Sequence, residues 1–417
     1  MLQSQTAKDT FVLFAGNIGS AFWGFLFILL VARSLSVSDF GILSAVLNFV
    51  AILASIADMG ISTGSVNFVS EHLARGENEK AKEYIKTSFQ VRLYIVLLIS
   101  LAVAIFAPFV SQQFLASRDP KMALWAAIIP IFLFPDSFFP YIFQAKKQFI
   151  QSTAIDNAFY LARLVFAAVF YVTGALTINK AFWAFGVGFV VEMILISVFL
   201  KWDFLRSKPR KNEYFKLLKY SGWIGVNRVI SSISGRLDIQ MLAAMSGATA
   251  TGLYSIPARL SGFISVLTGS FSSVLAPRLA SFGNAENEKK YILKSLLAIF
   301  PIIFGIVVWI LMARPFILTL FGNKYIDSIP VFQALAAAQI PSLLTVPSVS
   351  AIIYSMKKTV HIGVFSFFQI IAVFLLNSFL IPKYGVYGPA ITIGITNTIL
   401  AVYTWVVVIK HYYFRPK

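Results

Sequence analysis

Apolar runs of about 20 residues, the length that crosses the hydrocarbon core of a bilayer as a helix, recur along almost the whole chain. In lipid every backbone polar group must find its partner within the protein, so such runs fold as a bundle of spanning helices. Transmembrane barrels alternate polar and apolar residues, and these runs do not. Composition agrees: 58% of the 417 residues are hydrophobic and 12% charged. Soluble domains are nearer about half apolar and about a quarter charged. A net charge of +18 would point to nucleic acid in a soluble protein. In a membrane chain, Lys and Arg are instead retained on the inner side. No nucleic-acid partner is expected. The chain has no cysteine, which excludes disulfides, thiolate metal sites and Cys nucleophiles. Lys8 alone precedes the first run and no small-residue cleavage signal follows, so that run reads as a retained span.

The runs predict twelve spans, at 10–32, 40–63, 89–111, 123–143, 153–172 and 181–200, then 217–242, 252–276, 291–313, 329–353, 359–381 and 388–409. Between the sixth and seventh lies the only long, strongly charged segment, KWDFLRSKPRKNEYFKLLK at 201–219. Pro209 in its middle argues against one continuous helix. The expected organisation is a six-helix lobe at 1–200, a cytoplasmic basic linker at 201–216 and a second six-helix lobe at 217–417. With the N-terminus inside, 24 of the 35 Lys and Arg fall on inner segments, among them Arg92, Arg415 and Lys417. Seven fall outside: Arg33, Arg118, Lys121, Lys180, Arg314, Lys324 and Lys383. This asymmetry predicts a multi-pass protein of the cell membrane, inner or plasma, with both termini cytoplasmic.

The two halves look like copies. GNIGS at Gly16 recurs as GWIGV at Gly222, and DFGILS around Gly41 as ATGLYS around Gly252. ENEK at 77–80 recurs at 286–289, Ala107-Pro108-Phe109 as Arg314-Pro315-Phe316, and Ala145-Lys146-Lys147 as Met356-Lys357-Lys358. The matches keep one order at offsets of 206–211 residues. An even number of spans per copy makes the repeats parallel, related by an axis along the membrane normal and enclosing a central cavity.

The remaining four arginines, Arg163, Arg228, Arg236 and Arg259, lie within spans. Buried guanidinium is costly in a membrane, so each should face protein or water. As cavity cations they would bind an anionic substrate such as a phosphate or an acidic sugar. The competing reading is interhelical ion pairing, for which Arg163 with Glu192 is the expected example. Asp136, Glu192 and Asp238 lie deeper than the other acids and would couple an ion or balance the arginines. Asp58 and Asp156 fall near the inner span ends, where solvation or helix capping is expected. Pro130, Pro135 and Pro140 in the fourth span, and Pro341 and Pro347 in the tenth, predict kinks that are static or move in a transport cycle. His72, His361 and His411 lack metal-ligand spacing, so no metal is expected. There is no P-loop, no catalytic constellation and no sign of a cofactor, so the chain reads as a non-enzyme.

Asn17, the run LLVARSLSVSDFGILSAV from Leu29, ADMGISTGSV from Ala57 and the loop to Tyr84 resemble the Wzx-type oligosaccharide flippases. These are polysaccharide biosynthesis transporters in the superfamily that also holds MATE exporters and lipid II flippases. The family pattern of Ala-Arg-x-Leu, a spacer, then acid, aromatic and Gly is met by Ala32, Arg33, Leu35, Asp39, Phe40 and Gly41. The resemblance is motif-level over the first 90 or so residues and extends to the whole chain in span count and duplication. It implies an all-α, MATE-like membrane protein with two six-helix lobes around a cavity. It implies a polyprenyl-diphosphate-linked oligosaccharide moved from the inner to the outer leaflet by alternating access. The implied partners are the lipid-linked glycan, membrane lipids, and a glycan polymerase or glycosyltransferases. The chain departs from the family in having no arginine inside its first two spans.

A secondary exporter of a small solute or drug is the alternative. A major-facilitator carrier should show a Gly-x-x-x-Asp-Arg-x-Gly signature after the second span, and residues 71–86 have none. A MATE cation exporter should place an acid in the first span, and 10–32 has none. A glycan polymerase would usually need a large external loop, and the outer segments here are short.

Overall fold

The computed structural model describes residues 2–281 and 284–413, so Arg415 and Lys417, counted among the inner charges, lie outside the described residues. Every regular element in the described residues is helical. Nine helical stretches among them are long and apolar enough to cross a membrane, so this is a multi-pass membrane protein. Two of the nine, Leu237–Ser281 and Thr359–Tyr412, exceed a single crossing at 45 and 54 residues. The chain packs as two compact units, Met1–Arg236 and Leu237–Lys417.

The first unit holds α1 (Leu2–Ser34), α2 (Val37–Asp58), α3 (Ile61–Ala74), α4 (Asn78–Ile105), α5 (Ala107–Phe114), α6 (Pro120–Phe132), α7 (Phe139–Ala145), α8 (Phe149–Val172), α9 (Ile178–Phe199) and α10 (Lys211–Ser234). Local chemistry sets several of these boundaries. Ser36 caps α2 by accepting the amide of Asp39, and its hydroxyl donates to the Asp39 carboxylate at 2.8 Å. The Ser36 hydroxyl is thus an N-cap that the Asp39 carboxylate holds in place. The second expected span then breaks at Met59 and Gly60, both left-handed at φ 37° and 76°. Asp58 restarts the helix by accepting the amide of Ser62 at 3.1 Å.

The fourth expected span breaks as well. Residues 133–138 are turns between α6 and α7, with Pro135 removing a backbone donor inside them and Pro140 sitting in the first turn of α7. Around this break Phe134, Phe138, Phe139 and Phe143 join Tyr84 and Phe204 in one buried cluster. Phe204 comes from the basic segment. That segment is therefore a docked strap, with a 3₁₀ turn at Trp202–Arg206 whose Phe204 is 1% exposed. Lys82 pairs with Asp203 at 2.9 Å, and the Lys86 ammonium donates to the carbonyls of Leu205 and Ser207. The hydrogen bond from Lys82 holds the Asp203 carboxyl below its ordinary pKa. Helix α10 starts only after Pro209, at Lys211.

The second unit holds α11 (Leu237–Ser281), α12 (Ala285–Leu297), α13 (Phe300–Leu311), α14 (Ala313–Phe321), α15 (Ser328–Ser350), α16 (Thr359–Tyr384) and α17 (Gly388–Tyr413). Helix α11 turns at Gly247, where φ is 79°. Helix α15 packs against α11 and α17 and stays helical through Pro341 and Pro347, ending in a π-helical turn at Ala351–Ser355. The proline-rich spans of the two halves thus differ: the fourth is broken, the tenth is continuous.

The compact units divide after Arg236, whereas the sequence repeat divides near residue 200, because α10 packs on α2, α3 and α4. A side chain at Gly225 of α10 would overlap the Met59 carbonyl, and one at Gly60 would crowd the backbone of Ser221 and Gly225. Two glycines thus let α10 sit directly on the break in the second span.

Candidate functional site

The first unit holds a cavity of about 430 Å³, lined from α1, α2, α3, α4, α7, α8, α10 and the 133–138 break. Both interrupted helices deliver polar groups to it. Unwound backbone at membrane depth is tolerated only where protein buries it or it lines a cavity, and such breaks are where transporters form their sites.

Asp58 lines this cavity and is 7% exposed. One carboxylate oxygen accepts from the amide and the hydroxyl of Ser62, at 3.1 and 2.5 Å, and lies 3.3 Å from an Arg92 guanidinium nitrogen. The other accepts from Arg228 at 2.5 Å. Arg92 also donates to the Ser62 hydroxyl at 2.7 Å and to the carbonyl of Ser137 in the second break. Arg228 donates through its other terminal nitrogen to the Thr63 hydroxyl at 2.9 Å. One carboxylate therefore ties four elements together: α2, α3, α4 and α10. Arg92 is 3% exposed, while the Arg228 side chain remains 41% exposed and faces the cavity.

Eight residues along from Arg228, Arg236 follows the end of α10 and also lines the cavity. Its guanidinium donates to the Ser232 hydroxyl at 3.0 Å, and its carbonyl accepts from Asn48. Asp136 from the break and Asp156 of α8 line the cavity too, with carboxyl groups within hydrogen-bond reach of each other. Asn17, Tyr141 and Gln144 add amide and phenol groups to the lining, and Ser55, Ser152 and Thr153 add hydroxyls. Guanidinium forks suit phosphate oxygens, and amides, hydroxyls and carboxylates suit sugar hydroxyls.

Of the residues proposed from sequence, the structure brings Arg228, Arg236 and Asp136 into one cavity. Arg163 does not line it. Its guanidinium stacks on Phe27, Phe159, Tyr160 and Phe185, the last at 3.7 Å from the ring centre. Gly188 on α9 leaves the room Arg163 occupies, and Glu192 lies one turn further along the same face, fully buried. Asp238 and Arg259 belong to the second unit, where Asp238 accepts from the Tyr254 hydroxyl at 2.7 Å.

Three cavity-lining residues stand differently from their sequence-based placing, Asp58 only in part. Asp58 does cap a helix, but it is buried between two guanidiniums rather than solvated. Asp156 lines the cavity. Arg92, counted among the inner loop charges, is buried inside the bundle. Its place within the apolar run 89–111 is the signal that separates it from those loop charges.

Comparison with known proteins adds the family and the fold. Residues 6–283 match the family model described as "Polysaccharide biosynthesis protein". A protein of Shigella flexneri named "Putative O-antigen transporter" is 25% identical over 179 residues, 42% of this chain. The match spans only 43% of that relative's length. Among solved structures, an inward-facing MATE family transporter of the MOP superfamily is similar at TM-score 0.73, with 15% identity and 94% of each chain covered. Lipid II flippase MurJ in an inward closed conformation is similar at TM-score 0.75, with 14% identity, covering 96% of this chain and 89% of that one. At these identities the structural likeness shows the fold, which is all-helical and MATE-like.

Proposed function

Because this chain belongs to the polysaccharide biosynthesis protein family, we propose that it is a flippase moving a polyprenyl-diphosphate-linked oligosaccharide from the cytoplasmic to the outer leaflet. It acts by alternating access, for cell-surface polysaccharide synthesis. The observation that carries this reading is the cavity of the first unit, where Arg228 and Arg236 stand beside amides, hydroxyls and carboxylates. The arginines take the diphosphate, the neutral polar groups take the glycan, and the lipid tail stays in the bilayer. Flipping requires no covalent chemistry, so the protein is not an enzyme in this reading. The Shigella relative's name and the fold shared with a lipid II flippase support the substrate class.

Arg163 and Arg259 belong to this proposal as further cations. Asp136, Glu192 and Asp238 belong to it as ion-coupling or charge-balancing groups. The proposed setting is the inner or plasma membrane with both termini cytoplasmic, alongside a glycan polymerase or glycosyltransferases. The proposed lobes remain the two sequence repeats, twelve spans in all. Deleting the gene should make lipid-linked glycan accumulate on the inner leaflet while surface glycan falls. Unchanged surface glycan with no build-up of precursor, in a strain without a second flippase, rejects the reading.

A further inference from the structure

Helix α3 begins inside the first unit, and its N-terminal end already holds an anion that belongs to the chain. A helix N-terminus lined by guanidiniums is a favourable place for a phosphate. Here the Asp58 carboxylate occupies it, against the Ser62 amide, Arg92 and Arg228. The two carboxylate oxygens are held differently. Oδ1 is fixed by the Ser62 amide and hydroxyl and lies beside the deeply buried Arg92. Oδ2 is held by Arg228, whose side chain is 41% exposed to the cavity. Arg92 lines the same cavity at 3% exposure, and its Nε makes no hydrogen bond among the described residues. The site thus has donor capacity that its resident carboxylate does not use.

We propose that Asp58 is a built-in stand-in for the substrate's diphosphate, which displaces it from Arg228 during binding and yields the arginine back on release. This rests on the flippase reading above and adds a specificity-determining residue to it. In the exchange, Arg228 turns from Oδ2 to a phosphate oxygen at the same cavity wall. Asp58 stays anchored through Oδ1, so α3 keeps its cap. With no substrate bound, the carboxylate keeps a buried guanidinium compensated. It also sets a threshold. A monovalent anion offers less than the carboxylate it must replace, whereas a diphosphate brings several charges and paired oxygens to the fork.

The test measures binding of inorganic diphosphate and of chloride to the purified full chain. Asp58→Asn should bind diphosphate about ten-fold tighter or more, a change of about one decade in Kd. The threshold should drop at the same time, so that chloride competes in the variant and not in the wild type. The gain should vanish in Asp58→Asn combined with Arg228→Ala. Asp136→Asn, which alters a carboxyl group of the same cavity without touching Arg228, should gain much less. Diphosphate affinity that is unchanged or weaker in Asp58→Asn overturns the proposal. So does a gain that survives Arg228→Ala, or one matched by Asp136→Asn, because the gain then does not depend on freeing Arg228. If the Asn variant folds poorly, Asp58→Ser keeps a capping oxygen for α3 and makes the same comparison. The wild type gives an independent arm: diphosphate should raise its melting temperature, chloride at equal ionic strength should not, and Arg228→Ala should abolish the rise. A chain that shows the Asp58 effect but moves no lipid-linked glycan keeps this inference and loses the flippase reading. A chain that flips glycan without the Asp58 effect does the reverse.

Discussion

Arg92 shows how far a single side chain departs from its charge class. Counted with its neighbours Lys80, Lys82 and Lys86 it is one more inner-side cation, yet it is buried on α4 with its guanidinium against Asp58, Ser62 and the Ser137 carbonyl. Arg92→Ala leaves the buried carboxylate with one guanidinium fewer and that carbonyl with only the 3.4 Å contact from the Ser62 hydroxyl. Breaking a buried pair of this kind costs roughly 3–5 kcal/mol, so the variant should show a lower melting temperature in detergent and less protein in the membrane. Arg92→Lys keeps the charge but loses the fork that reaches Ser62 and Ser137 together, and should fall between the two. Wild-type stability in Arg92→Ala would show that the network contributes nothing to the fold. Arg228 and Arg236 were legible in the sequence because guanidinium within a span stands out. Asp58 was not, because its partners lie 34 and 170 positions away and no local pattern points to them.

At the scale of elements, helix existence was legible and helix breaks were only half so. Prolines marked the fourth span, and it breaks at 133–138, but prolines equally marked the tenth, where α15 runs through them. Proline removes a donor in both; whether the helix opens depends on what packs around it. The break at Met59 and Gly60 carried no proline signal, and it is α10 packed against it that explains the glycines. Gly225→Ala should therefore destabilise by about 1–3 kcal/mol through overpacking. Gly222→Ala, three residues earlier on the same helix with open space around it, should be neutral or stabilising by about 0.5–1 kcal/mol. Equal thermal shifts for the two would contradict the close approach. The basic strap makes a separate prediction. Because the Asp203 carboxyl titrates lower in the folded state than in the unfolded one, its contribution is complete above the ordinary carboxylate pKa. It is lost as pH falls through the lowered folded value. Proteolysis at 201–210 should accelerate in that acidic window in the wild type, and Asp203→Asn should be equally fast at neutral pH.

At the scale of the whole molecule, composition and run length were enough for an all-helical membrane protein, and the first 90 residues resembled the family that residues 6–283 match. The packing boundary at Arg236 was not legible, since a repeat in sequence records duplication and not which unit a helix finally packs on. Orientation is testable because the chain has no cysteine. Single cysteines at Ser207, Asn287 and Lys357 should label only from the cytoplasmic side, and those at Ser117, Ala248 and Lys383 only from outside. Outside labelling at Ser207 would overturn the orientation. The central claim is that the arginine-lined cavity moves a lipid diphosphate. The most direct measurement is purified protein in vesicles whose polyprenyl-diphosphate glycan starts in one leaflet, read by a glycan-cleaving enzyme added outside. Wild type should make the hidden pool cleavable, and Arg228→Ala with Arg236→Ala should slow this at least about ten-fold, the scale of a lost charged hydrogen bond at ~1.5–3 kcal/mol. A hidden pool that stays as protected as in protein-free vesicles, or a double variant as fast as wild type, would contradict the account.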